Sequence, residues 1–541
     1  MENQNYEFSL LGDTALCVKL GDRISEDINN MVLNLCDALE SLCLPGVSEI
    51  QPSYTSLAVH FDSNVISPSY IRKLISSLQS QTHMLSFRKP TVVEIPVCYG
   101  GDYGPDLQWA SQYLGISEEE IINRHSSRLY RVYMIGFTPG FPYLGGLDET
   151  ISLPRLDQPR EKVPKGSIGI ASNQTGIYPW DTPGGWRIIG RTNYELFSPE
   201  MDPPSLLEPG DYVKFVPVHR LPEQQVWQRK EINHLPKIGL GVNGLTVSDP
   251  GLLTLVVDQG RFGYRKFGVP VSGAADMRSF TLANVLCGNN PDAAALELTV
   301  KGPTLVAETD LTVAVTGAPC SIKIDGRPAP ADAALLLREG QTIEIGQTTL
   351  GLRAYLGVSG GIEVPHVLNS KSTYLRAGFG GYFGRPLKHK DTIKVGPLPT
   401  HGSILEKAKS TRVKTSRIDF RMLKAPAVPL RIITGPESTD SMLATLLTNI
   451  YQVRTESDRM GIRLEGPKLS EGKADIISAP VVPGTIQVSS DGQPMMLLAD
   501  SQTTGGYKRA ATVISHDLPL AAQLKPGNKV RFKSVDPIHV L

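Results

Sequence analysis

Several features that mark common protein classes are missing from this 541-residue sequence. No apolar run reaches the roughly 18 residues that a membrane-spanning helix needs, and the N-terminus shows no basic and apolar leader. Basic and acidic residues balance at 54 each, so overall charge does not favour nucleic acid or an anionic membrane as a partner. We therefore expect a soluble, cytoplasmic protein that binds neither nucleic acid nor membranes.

The sequence also lacks the short motifs of common nucleotide-binding and hydrolytic sites. There is no GxxxxGK[ST] loop, no GxGxxG after a strand, no HExxH and no GxSxG. The six cysteines form no CxxC pair, which argues against a zinc ribbon or a thioredoxin-like motif. Because their neighbours are apolar, we expect buried, reduced thiols.

The most distinctive stretch that is present, residues 134–192, combines many glycines and prolines with large apolar side chains. Disordered Gly/Pro tracts lack such side chains, so this stretch is expected to fold into tight turns between short strands. Glycine permits positive φ, whereas proline fixes φ and removes an amide donor. Constrained loops of this kind often carry binding and catalytic residues.

The pattern of elements predicts a small α+β domain followed by β-rich domains. Apolar residues at helical spacing and capping residues predict helices over 25–43, 68–79, 117–126 and 277–288. Elsewhere, short alternating runs between Gly and Pro predict strands. The predicted boundaries are 1–90 for the α+β domain, 91–218 for the first β domain, 219–244 for a linker, and 245–400 and 425–541 for two further β domains.

The ends of the two halves repeat each other in the same order. GSIGIASN (166–173) matches GTIQVSSD (484–491), DTPGGW (181–186) matches QTTGGY (502–507), and LEPGDYVKFVPV (207–218) matches LKPGNKVRFKSV (524–535). Because the copies lie far apart, they predict related β-barrel domains rather than a solenoid.

Polar residues in and near the Gly/Pro loops are candidates for a site that binds a small polar ligand. An arginine fork suits a carboxylate or phosphate, and a histidine with a pKa near neutrality suits proton transfer. The catalytic candidates are His125, Asp458, Arg459 and Asp500. The candidates for substrate or phosphate binding are Gly140, Gln174, Arg191, Asp258, Arg261, Asp276, Gln493 and Thr503. A surface helix end is the favoured alternative for His125, and a turn tied by an ion pair is an alternative for Asp458 and Arg459.

Long motifs in both halves resemble two related families. In the first half, GFTPGFPYLGGL, PREKVPKGSIGIASNQTGIYPWDTPGGWRIIGRT and LLEPGDYVKF resemble the allophanate hydrolase subunit 1 family, which includes the B-type protein of bacterial 5-oxoprolinase and the kinase inhibitor KipI. In the second half, GLLTLVVDQGRFGYRKFGVPVSGAADM, SKSTYLRAGFGG, SDRMGIRLEGP and ADSQTTGGY resemble the subunit 2 family, which includes the C-type protein of 5-oxoprolinase. The chain thus resembles a fusion of the two subunits.

The resemblance implies a mainly β fold with cyclophilin-like β-barrel domains, one after the α+β domain and two in the second half. It also implies a component of an ATP-dependent 5-oxoprolinase, which opens 5-oxo-L-proline to L-glutamate with ATP, Mg²⁺ and a separate A-type protein of the same enzyme. Arg191, Arg261 and Arg459 would then contact phosphate or carboxylate groups, and His125, Asp458 and Asp500 would serve magnesium binding or proton transfer. Two alternatives stay open: a biotin-dependent carboxyltransferase domain of the urea carboxylase type, and a KipI-like regulator that binds a histidine kinase. A homo-oligomer is also left open.

Overall fold

The computed structural model describes residues 6–78, 89–222, 244–397, 418–470 and 475–537. These residues form a mainly β protein, as the sequence predicts, with a small α+β domain, two closed seven-stranded barrels and one domain of packed sheets. In the described ranges, every helix is too short or too polar to cross a membrane. The predicted linker lies almost wholly outside the described residues, so its boundaries stay a prediction.

The N-terminal domain is an antiparallel sheet covered by helices. Its elements are β1 (Glu7–Leu11), β2 (Ala15–Lys19), α1 (Glu26–Ser41), β3 (Val47–Pro52), β4 (Ser56–Phe61) and α2 (Pro68–Leu78). The sheet order is β1-β2-β4-β3. Ser25 caps α1 by accepting a hydrogen bond from the Ile28 amide at 3.3 Å, and Val32, Leu35 and Leu39 of α1 pack in the core beneath it. Both predicted helices of this domain are confirmed.

The first barrel domain follows. Its elements are β5 (Val92–Tyr99), α3 (Leu107–Leu114), α4 (Glu118–Ser126), β6 (Leu129–Ile135), β7 (Pro142–Gly145), β8 (Arg160–Val163), β9 (Ser167–Ala171), β10 (Gln174–Ile177), β11 (Thr182–Gly184), β12 (Arg187–Arg191) and β13 (Tyr212–Pro217). The barrel closes in the order β5-β12-β9-β10-β7-β6-β13, and β13 pairs with β5 in parallel. Strands β8 and β11 pair separately and form the first flap.

The third domain consists of two sheets around one core. Its elements are β14 (Gly244–Asp249), β15 (Leu253–Val257), α5 (Met277–Leu286), β16 (Ala295–Thr299), β17 (Thr304–Ala307), β18 (Leu311–Gly317), β19 (Cys320–Ile324), β20 (Arg327–Pro328), β21 (Leu335–Leu337), β22 (Thr342–Thr348), β23 (Arg353–Val358), β24 (Ile362–Glu363) and β25 (Thr392–Val395). The sheets have seven and five strands, and Val247, Leu296 and Leu356 from both pack in the same core. This packed-sheet domain therefore departs from the closed barrel expected here.

The last domain is the second closed barrel. Its elements are β26 (Val428–Thr434), α6 (Asp440–Thr448), β27 (Ile450–Val453), β28 (Gly461–Glu465), β29 (Asp475–Pro480), β30 (Thr485–Val488), β31 (Pro494–Leu497), β32 (Thr504–Tyr507), β33 (Arg509–Val513), α7 (Leu518–Ala521) and β34 (Lys529–Ser534). The order is β26-β33-β30-β31-β28-β27-β34, with β34 parallel to β26. Strands β29 and β32 form the second flap.

The two barrels share one circular strand order, so the repeat seen in the sequence is a structural repeat. When the strands of each barrel are numbered by their place in the chain, starting from β5 and from β26, their order around the barrel is the same. In both barrels the last strand in the chain lies next to the first and closes the barrel. The matched segments fall on equivalent elements: β9 and β30, the flap strands β11 and β32, and the closing strands β13 and β34. The prediction of related barrels is thus confirmed for these two domains.

The N-terminal domain lies between the first barrel and the second half of the chain. On one side, Asn29 Nδ2 donates to Tyr133 O of the first barrel at 3.1 Å. On the other, the Arg265 guanidinium donates to buried Glu49 at 2.9 Å, and the Ser515 amide donates to Asp13 at 2.8 Å. The N-terminal domain therefore links the two halves.

Candidate functional site

Two loops of the packed-sheet domain contact the barrel domains, the first loop both of them and the second loop the first barrel domain. The first junction loop is residues 258–276, between β15 and α5, and the second junction loop is residues 364–391, between β24 and β25. The Gly140 amide of the first barrel domain donates to Phe267 O at 2.9 Å. The Ser272 amide donates to Ala499 O of the second barrel domain at 3.0 Å. The three β-rich domains therefore meet at these loops.

Arg459, in the loop between β27 and β28, is buried and hydrogen bonded through every nitrogen of its guanidinium. Nε and Nη2 donate to the two oxygens of Asp500 at 2.9 and 3.0 Å. Nη2 also donates to Gly273 O at 2.8 Å, and Nη1 donates to Glu297. Burial alone would lower the pKa of Arg459, but the two carboxylates outweigh it and raise this pKa. We therefore interpret Arg459 as a positioning residue that holds two domains together, not as a phosphate clamp.

Glu297, on β16, is a central residue that sequence reasoning missed. Its carboxylate accepts from the Tyr355 hydroxyl at 2.8 Å and the Ala275 amide at 2.9 Å, and Arg353 Nε lies 3.5 Å away. Burial raises the pKa of a carboxyl, but Arg459 and Arg353 outweigh it and hold the pKa of Glu297 below its ordinary value. Nothing in the strand ALELT signals this, because a glutamate in an alternating strand usually faces solvent.

Arg261 is fully buried and ties the first junction loop to the second. Its Nε donates to Val367 O at 3.2 Å, its Nη2 donates to Ser372 O, and its guanidinium lies 5.0 Å from the centre of the Phe379 ring. Burial lowers the pKa of Arg261 to about 10, so the side chain stays charged at neutral pH. Its Nη1 has no hydrogen-bond partner among the described residues.

Asp258 connects the same two loops and also faces solvent. Its carboxylate accepts from the Gly260 amide at 2.8 Å and from the hydroxyls of Ser370 and Ser372 at 2.7 and 2.8 Å. Beside it opens a cleft of about 720 Å³, whose other walls include His366 and Lys371. This cleft is within the range of roughly 300–1,000 Å³ that holds ligands of drug or nucleotide size.

Asp276, another predicted binding residue, caps α5. Its carboxylate accepts from the Ser279 amide at 3.0 Å and the Ser279 hydroxyl at 2.7 Å, and from Gln523 Nε2 at 2.7 Å. Burial raises the pKa of Asp276. With its acceptors engaged by the helix and by Gln523, Asp276 contributes to the docking of the second barrel domain.

His125 occupies the core of the first barrel domain, so the expected pKa near neutrality is wrong. Its ring nitrogens contact the Tyr99 hydroxyl at 2.8 Å and the Thr175 hydroxyl at 3.0 Å, and its ring stacks on Phe215 with 4.7 Å between centres. The side chain is fully buried, and burial lowers the pKa of His125 to about 3. A helix end pointing into a barrel desolvates the imidazole, which the local sequence does not show.

Three other predicted residues make contacts inside their own domains. Asp458 is exposed and closes the turn before Arg459, where it accepts from the Met460 amide at 2.8 Å. Gln493 makes two hydrogen bonds of 3.0 Å to the Gly466 backbone. Arg191, on β12, lies 5.6 Å from the centre of the Tyr103 ring. The structure does not bring these three to the junction loops.

The last three predicted residues lie at contacts between domains. Gln174 Nε2 donates to the Tyr54 hydroxyl at 2.5 Å, and Thr503 O accepts from Gln51 Nε2 at 2.6 Å, so both meet the N-terminal domain. Gly140 has φ 78°, and a Cβ there would lie 2.5 Å from the Phe197 Cβ. Glycine is therefore required at 140 by backbone conformation and close packing.

A small cavity of about 180 Å³, which we call the rim cavity, lies where the first barrel domain meets the second junction loop. Thr138, Trp180 and Asp181 come from the first half, and Tyr374 and Arg376 come from the second. Burial raises the pKa of Tyr374, and the charge of Asp500 adds to this effect. Sequence reasoning selected neither Tyr374 nor Arg376, although both lie in the motif SKSTYLRAGFGG.

The residues expected to hold magnesium do not come together. His125 is enclosed in the first barrel, Asp458 closes an exposed turn, and Asp500 is paired with Arg459. Within the described ranges, no group of three or more His, Cys, Asp or Glu side chains is placed to hold a metal ion. The described residues therefore do not fit a resident magnesium site.

Comparison with known proteins matches both halves of the chain. The carboxyltransferase domain family matches residues 6–207 as subdomains C and D and residues 267–534 as subdomains A and B. The B-type protein of 5-oxoprolinase from Bacillus subtilis is 40% identical over 236 residues, which cover 42% of this chain and 97% of that protein. The C-type protein of 5-oxoprolinase from Escherichia coli is 35% identical over 292 residues, which cover 53% of this chain and 90% of that protein.

Two further similarities bear on the arrangement of the chain. Urea amidolyase from Saccharomyces cerevisiae is 30% identical over 308 residues, which cover 53% of this chain but 16% of that protein. The crystal structure of TTHA0988 superposes with a TM-score of 0.83 at 34% identity, covering 96% of this chain and 99% of that one. The arrangement of all four domains thus has a solved counterpart. The chain belongs to the carboxyltransferase-domain family, as a fusion of an allophanate hydrolase subunit 1-like half with a subunit 2-like half.

Proposed function

We propose that this protein is the fused B- and C-type component of an ATP-dependent 5-oxoprolinase, which opens 5-oxo-L-proline to L-glutamate with a separate A-type protein. The observation that supports this is the near-complete cover of both relatives by one chain, 97% of the B-type relative and 90% of the C-type relative. Because one chain holds both halves, their ratio is fixed, and we expect them to act together.

The arrangement of the junction supports a shared site. The rim cavity has walls from both halves, and the charge of Asp500 acts on Tyr374 in its wall. A joint site of this kind would explain why the two halves are fused and interlocked through the N-terminal domain. Arg459 then fixes the geometry of the site, while the open residues of the cavity contact substrate.

The chemistry explains the requirement for ATP. A lactam is a resonance-stabilised amide, and transfer of the γ-phosphoryl group to its carbonyl oxygen, with release of ADP, makes that oxygen a leaving group. Water then adds to the ring carbon, and the carbon–nitrogen bond breaks as the nitrogen takes up a proton, which leaves an acyl phosphate. A second water attacks the acyl phosphate and releases phosphate and L-glutamate. Phosphoryl transfer depends mostly on positioning and charge stabilisation. Because the described residues fit no resident magnesium site, we propose that Mg²⁺ enters bound to ATP.

The test is ADP release and glutamate formation from 5-oxo-L-proline and Mg-ATP, with the chain alone, the A-type protein alone, and the two mixed. We expect both products only in the mixture, in equal amounts. The variant Arg327→Ala, which changes an exposed arginine on β20, should behave like the wild type. Absence of both products from every mixture of folded proteins would refute the proposal.

A carboxyltransferase is the second candidate, because the matching family carries that name and urea amidolyase is similar over 53% of this chain. Such a protein would need a carboxylated biotin donor and would be inactive toward 5-oxo-L-proline with ATP. Incubation with carboxybiotin and urea, followed by detection of a carboxylated product, separates the two candidates. Product formation there, together with no ADP release in the first test, would establish the second candidate.

A further inference from the structure

The rim cavity contains an arginine whose charge is not matched within the described protein. Arg376 is exposed at the edge of the cavity and makes no hydrogen bond or ion pair with any described residue. The neighbouring carboxylates are already engaged: Asp181 pairs with Lys162 at 2.8 Å, and Glu195 pairs with Lys165 at 3.3 Å. Arg376 is therefore the cation of this cavity that is left to bind an anion from solution.

The rest of the cavity offers flat aromatic walls, and Thr138 beside them is enclosed. Trp180 is fixed in place because its ring nitrogen donates to Pro139 O at 2.9 Å, and Tyr374 forms another wall. Thr138 is 5% exposed, and its hydroxyl has no hydrogen-bond partner among the described residues. Aromatic walls and one arginine suit a small ring that carries a carboxylate.

The size of the cavity limits the ligand further. At about 180 Å³ it is well below the roughly 300–1,000 Å³ of sites for drug-sized ligands, so a nucleotide does not fit. We propose that the rim cavity binds a small cyclic carboxylate, with Arg376 paired to the carboxylate and the ring lying against Trp180 and Tyr374. The identity of this ligand as 5-oxo-L-proline rests on the proposed function; the carboxylate site itself does not.

The first experiment measures binding by the full chain alone. Ligand-observed NMR should show that 5-oxo-L-proline binds. The affinity of 2-pyrrolidone, the same lactam without the carboxylate, should be lower by about tenfold or more. Arg376→Ala should lower the affinity for 5-oxo-L-proline by about tenfold, and Arg376→Lys, which keeps the charge but loses the fork, should lower it less. Arg327→Ala is the matched control, because it also removes an exposed arginine, one that lies on β20 and does not line the rim cavity.

The outcomes separate this inference from the proposed function. Failure of the wild-type chain to bind either compound, equal binding of both, or unchanged affinity in Arg376→Ala would each overturn the carboxylate site. The second experiment uses the mixture with the A-type protein, where Arg376→Ala should raise KM for 5-oxo-L-proline more than it lowers kcat. Arg376-dependent binding without turnover by the wild type would leave the carboxylate site standing and remove the proposed function.

Discussion

Arg459 joins the second barrel to the packed-sheet domain through charge, since its guanidinium lies between Asp500 and Glu297. In Arg459→Ala buried Asp500 loses its counter-ion and buried Glu297 keeps only Arg353, and breaking a buried pair in this way costs about 3–5 kcal/mol. We expect urea denaturation at neutral pH to show a loss of that size. Arg463→Ala, an exposed change on β28, is the matched control. Equal unfolding midpoints for Arg459→Ala and wild type would contradict the role assigned to this residue.

His125 makes stability depend on pH. In the folded protein its pKa is lowered to about 3, whereas in the unfolded chain it returns to its ordinary value of 6.5. The stabilising contribution is therefore complete above pH 6.5 and is lost as the pH falls from there toward 3. A difference of one pH unit below 6.5 corresponds to about 1.4 kcal/mol. The variant His125→Gln and the wild type are compared by urea denaturation at pH 7.5 and 5.5. The free energy of unfolding should fall less between these pH values in the variant, and turnover at neutral pH should be intact. A steep pH dependence retained in the variant would exclude His125 as its source.

At the level of elements, the loop after β6 contacts β32 of the second flap. A Cβ on Gly136 would lie 2.1 Å from the Thr504 hydroxyl oxygen, which is shorter than a non-bonded contact between a Cβ and an oxygen can be. Gly136→Ala should therefore push the halves apart and lower the melting temperature. The double variant Gly136→Ala/Thr504→Ala should recover part of this loss, because the nearest remaining contact is 3.2 Å. Gly185→Ala, with its nearest neighbour at 3.7 Å, is the control and should melt like wild type. Strictly additive melting shifts would show that the two residues do not touch.

Local patterns predicted some elements well and missed others. Helix α1 was predictable because apolar spacing and the Ser25 cap act within one segment, and the two related barrels were predictable because their repeated segments fall on equivalent strands. Helices α3 and α6 were not predicted, since each is about two turns long and depends on packing against a barrel. Likewise, the motifs selected Arg459 and Asp500 as separate candidates but not their pairing. That pairing and the burial of His125 and Glu297 depend on how separate segments pack.

At the scale of the whole molecule, the N-terminal domain should keep the halves together without a covalent link. Glu49 and Arg265 form a buried pair across this contact, and Asp13 accepts from Ser515. Co-expressed fragments 1–222 and 244–541 are therefore expected to elute as one species in size-exclusion chromatography. Glu49→Ala should weaken this association, whereas Glu7→Ala, an exposed change on β1, should not. Separate elution of the wild-type fragments would contradict the linking role of this domain.

The parallel pairing that closes each barrel has a consequence for synthesis on the ribosome. Val92 of β5 pairs with Tyr212 of β13, so the first strand of the barrel emerges long before the strand that completes it. At about 5–20 residues per second, this interval is on the order of ten seconds. During that time β5 presents an unpaired edge, which is a template for wrong pairing with other chains. Translation speed between these two strands is thus expected to influence how much nascent chain reaches a correctly closed barrel.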